Sequence, residues 1–174
     1  MTDAAQAQDL PPLPTSPEEL LKKLQELEIQ YEYHEHEAVF TVEESSKIND
    51  AIPGTHCRNL YLRDKKKKNF LIVAANGTEV DMKRLQESLG CGRLSFGSAD
   101  RLWQYLGIRP GSVCPFTVIN DKEHQVQIVL DASMMKSDIV NYHPLDNRLT
   151  IGISPANLLK FLEYTGHEPL VLDL

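Results

Sequence analysis

The part of this chain that most constrains its fold runs from Pro53 to Gly77. Pro53-Gly54 marks a turn. Asn59-Leu60-Tyr61-Leu62-Arg63 then reads as a strand, followed by the lysine run Lys65–Lys68 and a second apolar run, Phe70–Ala75. Two strand-like runs joined by a short polar segment predict a β-hairpin with the lysines at its tip. Just ahead of the first strand stand His56, Cys57, Arg58 and Asn59, an imidazole, a thiol, a guanidinium and an amide in a row. Polar groups gathered where a loop runs into a rigid strand are a common mounting for a functional site. The rest of the chain is expected to supply scaffold and walls around that point.

A length of 174 residues fits one domain with a real core, and 41% hydrophobic with 25% charged residues is an ordinary globular balance. Residues 1–15 read as an unstructured Ala/Gln/Pro-rich leader and 16–174 as a single domain. The leader lacks the basic and apolar regions of a secretion signal, and no apolar run approaches the roughly 18–20 residues that span a bilayer. Neither a membrane nor an export route is expected. The three cysteines, Cys57, Cys91 and Cys114, show no CxxC spacing, which points to a reduced cytoplasmic setting with neither disulfide framework nor zinc knot. A net charge of −7 argues against holding DNA or RNA by overall electrostatics. Yet Arg58, Arg63 and Lys65–Lys68 place six cations within eleven positions. A partner with phosphates would be met there and repelled elsewhere. A solvated hairpin tip is the other reading of the same run.

Around the hairpin, helix signals recur. Ser16-Pro17-Glu18-Glu19 and Thr41-Val42-Glu43-Glu44 have capping-box spacing, the second opening a helix to about Asp50. Asp81–Leu89 carries Met82, Leu85 and Leu89 on one face and stops at Gly90; Ser98–Leu106 stops at Gly107; a last helix opens at Ser154-Pro155 and ends at Gly166. Ile29–Glu35 alternates as a half-buried strand with Ile29, Tyr31 and Tyr33 inward. Phe116–Ile119 and Gln125–Leu130 are expected to pair across a turn at Asn120-Asp121-Lys122. Strands at 139–142 and 149–153 frame the loop His143–Asn147, and Leu170–Leu172 closes the chain. Short strands interleaved with helices predict an α+β (mixed α/β) domain with one sheet, much of it antiparallel.

No metal motif, phosphate-cradling loop or nucleophile elbow is present. His34 and His36 read as exposed residues on a charged strand end. His56 and Cys57, adjacent on a strand, face opposite ways and are not a nucleophilic pair. Cys114 reads as a small apolar wall. His143, in a loop between strands, is open to either a working or a turn-capping role.

Several blocks resemble a known family. His56-Cys-Arg-Asn-Leu-Tyr-Leu-Arg-Asp64 resembles the H-[ST]-K-N-L-[FY]-L-[KR]-D signature of freestanding prolyl-tRNA editing proteins, the YbaK/ProX-type aminoacyl-tRNA deacylases. Gly111-Ser-Val-Cys-Pro115 resembles their G-x-x-x-P loop, and Tyr142-His-Pro-Leu-Asp-Asn147 their F-H-P-[LM]-x-N segment. Gly92–Phe96 and Val129–Asp131 follow in family order, so the resemblance covers the chain from about Ser16 onward. It is nearest the branch that clears alanine from tRNA(Pro). The resemblance implies a curled mixed sheet with helices outside, and hydrolysis of an aminoacyl ester by water without metal, cofactor or covalent intermediate. It places Arg58, Asn59 and Gly111 in the catalytic machinery and Ser112, Val113, Cys114, Pro115, His56 and His143 around the substrate. Loop N–H groups from Gly111 to Pro115 would hold the aminoacyl carbonyl, and Lys65, Lys66, Lys67 and Lys68 would meet tRNA. Mischarged tRNA(Pro) and prolyl-tRNA synthetase are the implied partners. The family lysine falls on Arg58, which leaves open a binding module with weakened catalysis; Lys47 is a candidate replacement for that lysine.

Overall fold

The computed structural model of the protein describes residues 10–39 and 41–174. In chain order it has α1 (Pro17–Glu26), β1 (Glu32–Glu35), α2 (Val42–Ala51), β2 (Thr55–Arg63), β3 (Asn69–Ala75), α3 (Met82–Leu89), β4 (Ser95–Phe96) and α4 (Ala99–Leu106). There follow a 3-10 helix (Pro115–Asn120), β5 (Val126–Asp131), β6 (Val140–Tyr142), β7 (Leu149–Ile153), α5 (Pro155–Thr165) and β8 (Leu170–Leu172). The helix ends obey the sequence. Ser16 and Glu19 form the reciprocal capping box, Thr41, Asp81, Ser98 and Ser154 accept first-turn N–H groups, and α3, α4 and α5 stop at left-handed glycines.

The sheet is ordered β1-β7-β6-β2-β3-β5-β8, with β4 beside β2. β2 and β3 form the expected antiparallel hairpin, from Cys57 opposite Ala75 to Arg63 opposite Asn69. Its tip is closed by Asp64, whose N–H bonds Lys68 O and whose carboxylate accepts from Lys68 N–H, while Lys65–Lys68 stay exposed. Antiparallel pairs β1/β7, β6/β7 and β2/β4 are combined with parallel pairs β2/β6, β3/β5 and β5/β8. The sheet is therefore mixed, as expected, and both of its faces are covered by helices.

One face carries the larger core: Tyr61, Leu71, Val73, Ile128 and Ile151 pack against Leu20, Leu24, Leu106, Phe116, Phe161 and Leu162 from the helices. The opposite face carries a smaller one, where Leu62, Phe70, Ile72 and Val129 meet Leu85 of α3. Gly152 must lack a side chain, because a Cβ there would lie 2.8 Å from both Asn141 Oδ1 and Ile139 Cγ2.

Several expectations are corrected. His56–Asn59 do not precede β2; they are part of it. β1 is shorter than predicted, and Tyr33 is 44% exposed, because β1 is an edge strand paired only with β7. Phe116–Ile119 is a 3-10 helix. Pro115 presets its first turn, and Thr117 donates both N–H and Oγ1–H to Cys114 O. A short, wholly apolar run has no periodicity that tells helix from strand. β5 accordingly pairs in parallel with β3 and β8 rather than with residues 116–119. Of the leader, residues 1–9 lie outside the described residues. Residues 10–15 are not loose: Arg109 donates to Pro11 O, Thr15 Oγ1 bonds Asn120 Oδ1 at 2.7 Å, and Leu13 packs on the larger core.

Candidate active site at an interrupted edge of the sheet

β2 has β3 along one side for most of its length, but its other side is broken. β6 pairs with it only at Thr55 and His56, and β4 only at Leu62 and Arg63. Between them the edge has no neighbouring strand among the described residues. Main-chain direction on β2 follows from four bonds. His56 O accepts from Asn76 N, and Asp64 N donates to Lys68 O, so even-numbered residues turn their polar groups to β3. Odd-numbered residues turn theirs the other way, where Thr55 N meets Ile139 O and Tyr61 O meets Gly97 N. Asn59 therefore directs its N–H and C=O into the gap. Its side-chain Oδ1 is also buried with no partner among the described residues. Unpaired main-chain and amide groups gathered in one place are costly unless a ligand or water completes them.

Arg58, one residue back, lies on the α2 side of the sheet. Its Nη1 donates to Asn76 O at 2.9 Å and Ala75 O at 3.4 Å, and its Nη2 to Thr78 O at 2.5 Å. A guanidinium has five N–H groups, so Nε–H and one Nη2–H remain. The receiving turn is itself held. The Asp131 carboxylate, 1% exposed, accepts from Ala75 N, Thr78 Oγ1, Ser133 N and Ser133 Oγ. Burial pushes the Asp131 pKa up, but those donors outweigh it and hold the carboxyl below the ordinary value. Arg58 borders a 660 Å³ cleft lined with Val39, Thr41, Ser45, Ser46, Asn49, Asp50 and Asn76. Lys47 stands exposed on α2 and does not line this cleft.

On the same face, three imidazoles gather. His56 Nε2 bonds Ile52 O at 2.8 Å, and His143 Nδ1 bonds Leu149 O at 2.7 Å. His36 is not a free surface residue. It meets the His143 ring edge-on at 5.7 Å and bonds Thr150 Oγ1 at 2.7 Å. Extending the β2/β6 register past Asn141 and Tyr142 brings His143 level with Arg58. Burial first, then the positive potential of His36 and His56, lowers the His143 pKa against the opposing bond to Leu149. Asn141, 2% exposed, ties this end together by donating to Pro53 O and Thr55 O.

The Gly111–Pro115 loop comes from the other face. Gly111 has φ +94 in an exposed turn, and Ser112 N is spent on Arg109 O. The N–H groups of Gly111, Val113 and Cys114 have no protein partner among the described residues. Cys114 is fully buried, and its thiol is pushed up to about 12 by burial, with the Leu145 main chain alongside. Cys57 faces the larger core beside Tyr142 and is likewise raised to about 12 by burial. Neither thiol is in a setting that forms a thiolate. His56, Arg58 and His143 thus share one face, Cys114 belongs to the opposite core, and Asn59 lies in the gap between. No described contact joins Arg58 to the Gly111–Pro115 loop. Sequence reasoning missed Asp131 and Thr78 as the support of Arg58, and His36 and Thr150 beside His143. Only the Val129–Asp131 block hinted at the first.

Comparison with known proteins identifies the family. Residues 36–161 match the family model of the aminoacyl-tRNA editing domain. The chain belongs to that family, and it is an editing enzyme by class. It is 37% identical to "Prolyl-tRNA editing protein ProX" of Acetoanaerobium sticklandii, over 89% of this chain and 95% of that protein. It is also 34% identical to "Prolyl-tRNA synthetase associated domain-containing protein 1" of Mus musculus, over 89% and 94%. A solved structure named as a candidate trans-editing enzyme for prolyl tRNA synthetase superposes with a TM-score of 0.67 at 17% identity, covering 91% of this chain and 97% of that one. That likeness supports the fold. Among the described residues no helix is long and apolar enough to cross a membrane.

Proposed function

We propose that the protein hydrolyses the ester of mischarged tRNA(Pro), alanine-charged in the first place, acting in trans beside prolyl-tRNA synthetase in the cytoplasm. The observation that carries this reading is the gap in the β2 edge, where the Asn59 N–H, C=O and Oδ1 lack partners among the described residues. An aminoacyl group placed there finds a donor for its carbonyl and two acceptors for its α-ammonium. The free N–H groups of Gly111, Val113 and Cys114 are further donors for the oxygen on which negative charge develops as water attacks. Arg58 meets the substrate through its two remaining N–H groups, and its turn-bound edge keeps the guanidinium from swinging away. His56 and His143 bound the aminoacyl pocket, with Ser112, Val113 and Pro115 as its other wall. The Lys65–Lys68 tip, about 16 Å along β2 from Asn59 at strand spacing, meets tRNA phosphates.

A second reading, binding without turnover, draws on the fact that three of the five Arg58 N–H groups are already used. Pre-charged Ala-, Ser-, Cys- and Thr-tRNA(Pro) separate the two. Release of free alanine at rates well above spontaneous hydrolysis supports the enzyme and its substrate. Tight tRNA binding with no release of any amino acid selects the second reading.

A further inference from the structure

We infer that Thr150 and His36 are positioning residues that orient His143 and leave its Nε2 as a lone-pair acceptor. The assignment follows from where protons can reside. Leu149 O accepts only, so the nitrogen 2.7 Å from it, His143 Nδ1, carries the hydrogen. Glu37 O likewise accepts only, so His36 Nδ1, at 2.8 Å, carries the hydrogen of that ring. In neutral His36 the other nitrogen, Nε2, is then an acceptor, and it lies 2.7 Å from Thr150 Oγ1. The Thr150 hydroxyl must therefore donate to His36. Its oxygen keeps its lone pairs for His143 Nδ1, 3.3 Å away. The hydrogen bonds run one way: the single His143 Nδ1–H, held mainly by Leu149 O, is shared with Thr150 Oγ1, Thr150 donates to His36, and His36 donates to Glu37 O. Bonds aligned in this sense polarise one another.

His143 protonates only at Nε2, so acid removes the acceptor. The groups around His143 are His36 from the segment after β1, His56 of β2, Asp146 of its own loop with Arg148 paired to it, and Thr150 of β7. Thr150 is 2% exposed, so water does not substitute for its hydroxyl. The role of the Nε2 acceptor rests on the deacylase reading above. The proton assignment does not.

Histidine-selective 15N spectra of the full chain, with the Thr150→Val and Thr150→Ser variants, test both parts. Wild type and Thr150→Ser are expected to show His36 and His143 each as the Nδ1–H form. Thr150→Val should keep both rings as the Nδ1–H form, held by Leu149 O and Glu37 O, and shift the His36 Nε2 resonance as that nitrogen loses its donor. With Ala-tRNA(Pro), Thr150→Val should lower kcat by about tenfold, the rate equivalent of one hydrogen bond, with KM little changed and the acid limb of the pH profile displaced. Thr150→Ser should restore both, at a melting temperature matching that of Thr150→Val. An Nε2–H form of either ring in wild type, or unaltered His36 signals in Thr150→Val, overturns the proton assignment. Wild-type kcat and pH profile in Thr150→Val overturn the positioning role. A wild type that releases no amino acid refutes the deacylase reading instead, while the spectra still decide the proton assignment.

Discussion

His56 and Arg58 occupy one end of a face of β2, and Leu60 and Leu62 occupy the other. The two ends are a few ångströms apart along one strand and are built on opposite principles. At the apolar end α3 sets Leu85 onto Leu62, Phe70, Ile72 and Val129, all nearly inaccessible to solvent, and β4 completes the edge beside Leu62. At the polar end α2 brings Ser45, Ser46, Asn49 and Asp50 over an open cleft, and beyond His56 the edge is left without a strand among the described residues. Burial of apolar area stabilises the first end. The second retains polar groups whose partners come in part from carbonyls of a turn and in part from nowhere among the described residues. Rigid backbone continuity lets one end position what the other presents, so a strand can hold a site without packing it.

This contrast can be broken by substitution, and the largest effect belongs to the apolar end. Leu62→Ala is expected to cost about 2–5 kcal/mol of stability, read from denaturant midpoints, while turnover per folded molecule stays near wild type. A cost below about 1 kcal/mol would mean that the apolar end is not what holds β2.

Arg58→Ala should do the reverse. Its deacylation should fall by a hundredfold or more, about 3 kcal/mol of transition-state stabilisation, with only a modest fall in melting temperature as the bonds to the 75–78 turn disappear. Arg58→Lys should retain or raise turnover yet lose part of that melting temperature, since an ammonium cannot reach three carbonyls as a planar fork does. Full activity in Arg58→Ala would take the residue out of the mechanism.

A smaller effect follows from pH. The His143 imidazole is held below the ordinary 6.5, so on acidification the unfolded chain takes up a proton that the folded chain still declines. The contribution of His143 to stability is thus complete above pH 6.5 and lost as the pH falls below it. His143→Gln should flatten the stability-versus-pH curve in that window. It should also remove an acid limb of activity whose midpoint lies below 6.5. An unchanged curve would mean that the residue is not titrating there.

The smallest effect on either end should come from the hairpin tip. Changing Lys65–Lys68 to Gln should raise KM for charged tRNA and leave kcat and stability close to wild type. For every phosphate that the tip no longer neutralises, the slope of log affinity against log salt should become shallower by roughly 0.7–0.9. Wild-type KM at every salt concentration would identify the tip as merely solvated.

Much of this protein was legible in its sequence because the signals are local. Caps at Ser16, Thr41, Asp81, Ser98 and Ser154, stops at Gly90, Gly107 and Gly166, and the Arg63–Asn69 hairpin closure depend on neighbours within a few positions. The ordered blocks around Arg58, Gly111 and His143 were likewise visible, and with them the family. What the sequence could not decide was set by segments distant along the chain. Nothing local told that Phe116–Ile119 would coil, that β5 would run parallel to β3, or that β6 and β4 would leave Asn59 without a neighbour. Nor could spacing show that Asp131 braces the turn gripped by Arg58, or that Thr150 stands between His36 and His143. Hydrogen-bond satisfaction and close packing act across the folded chain, so these choices existed only once distant segments met.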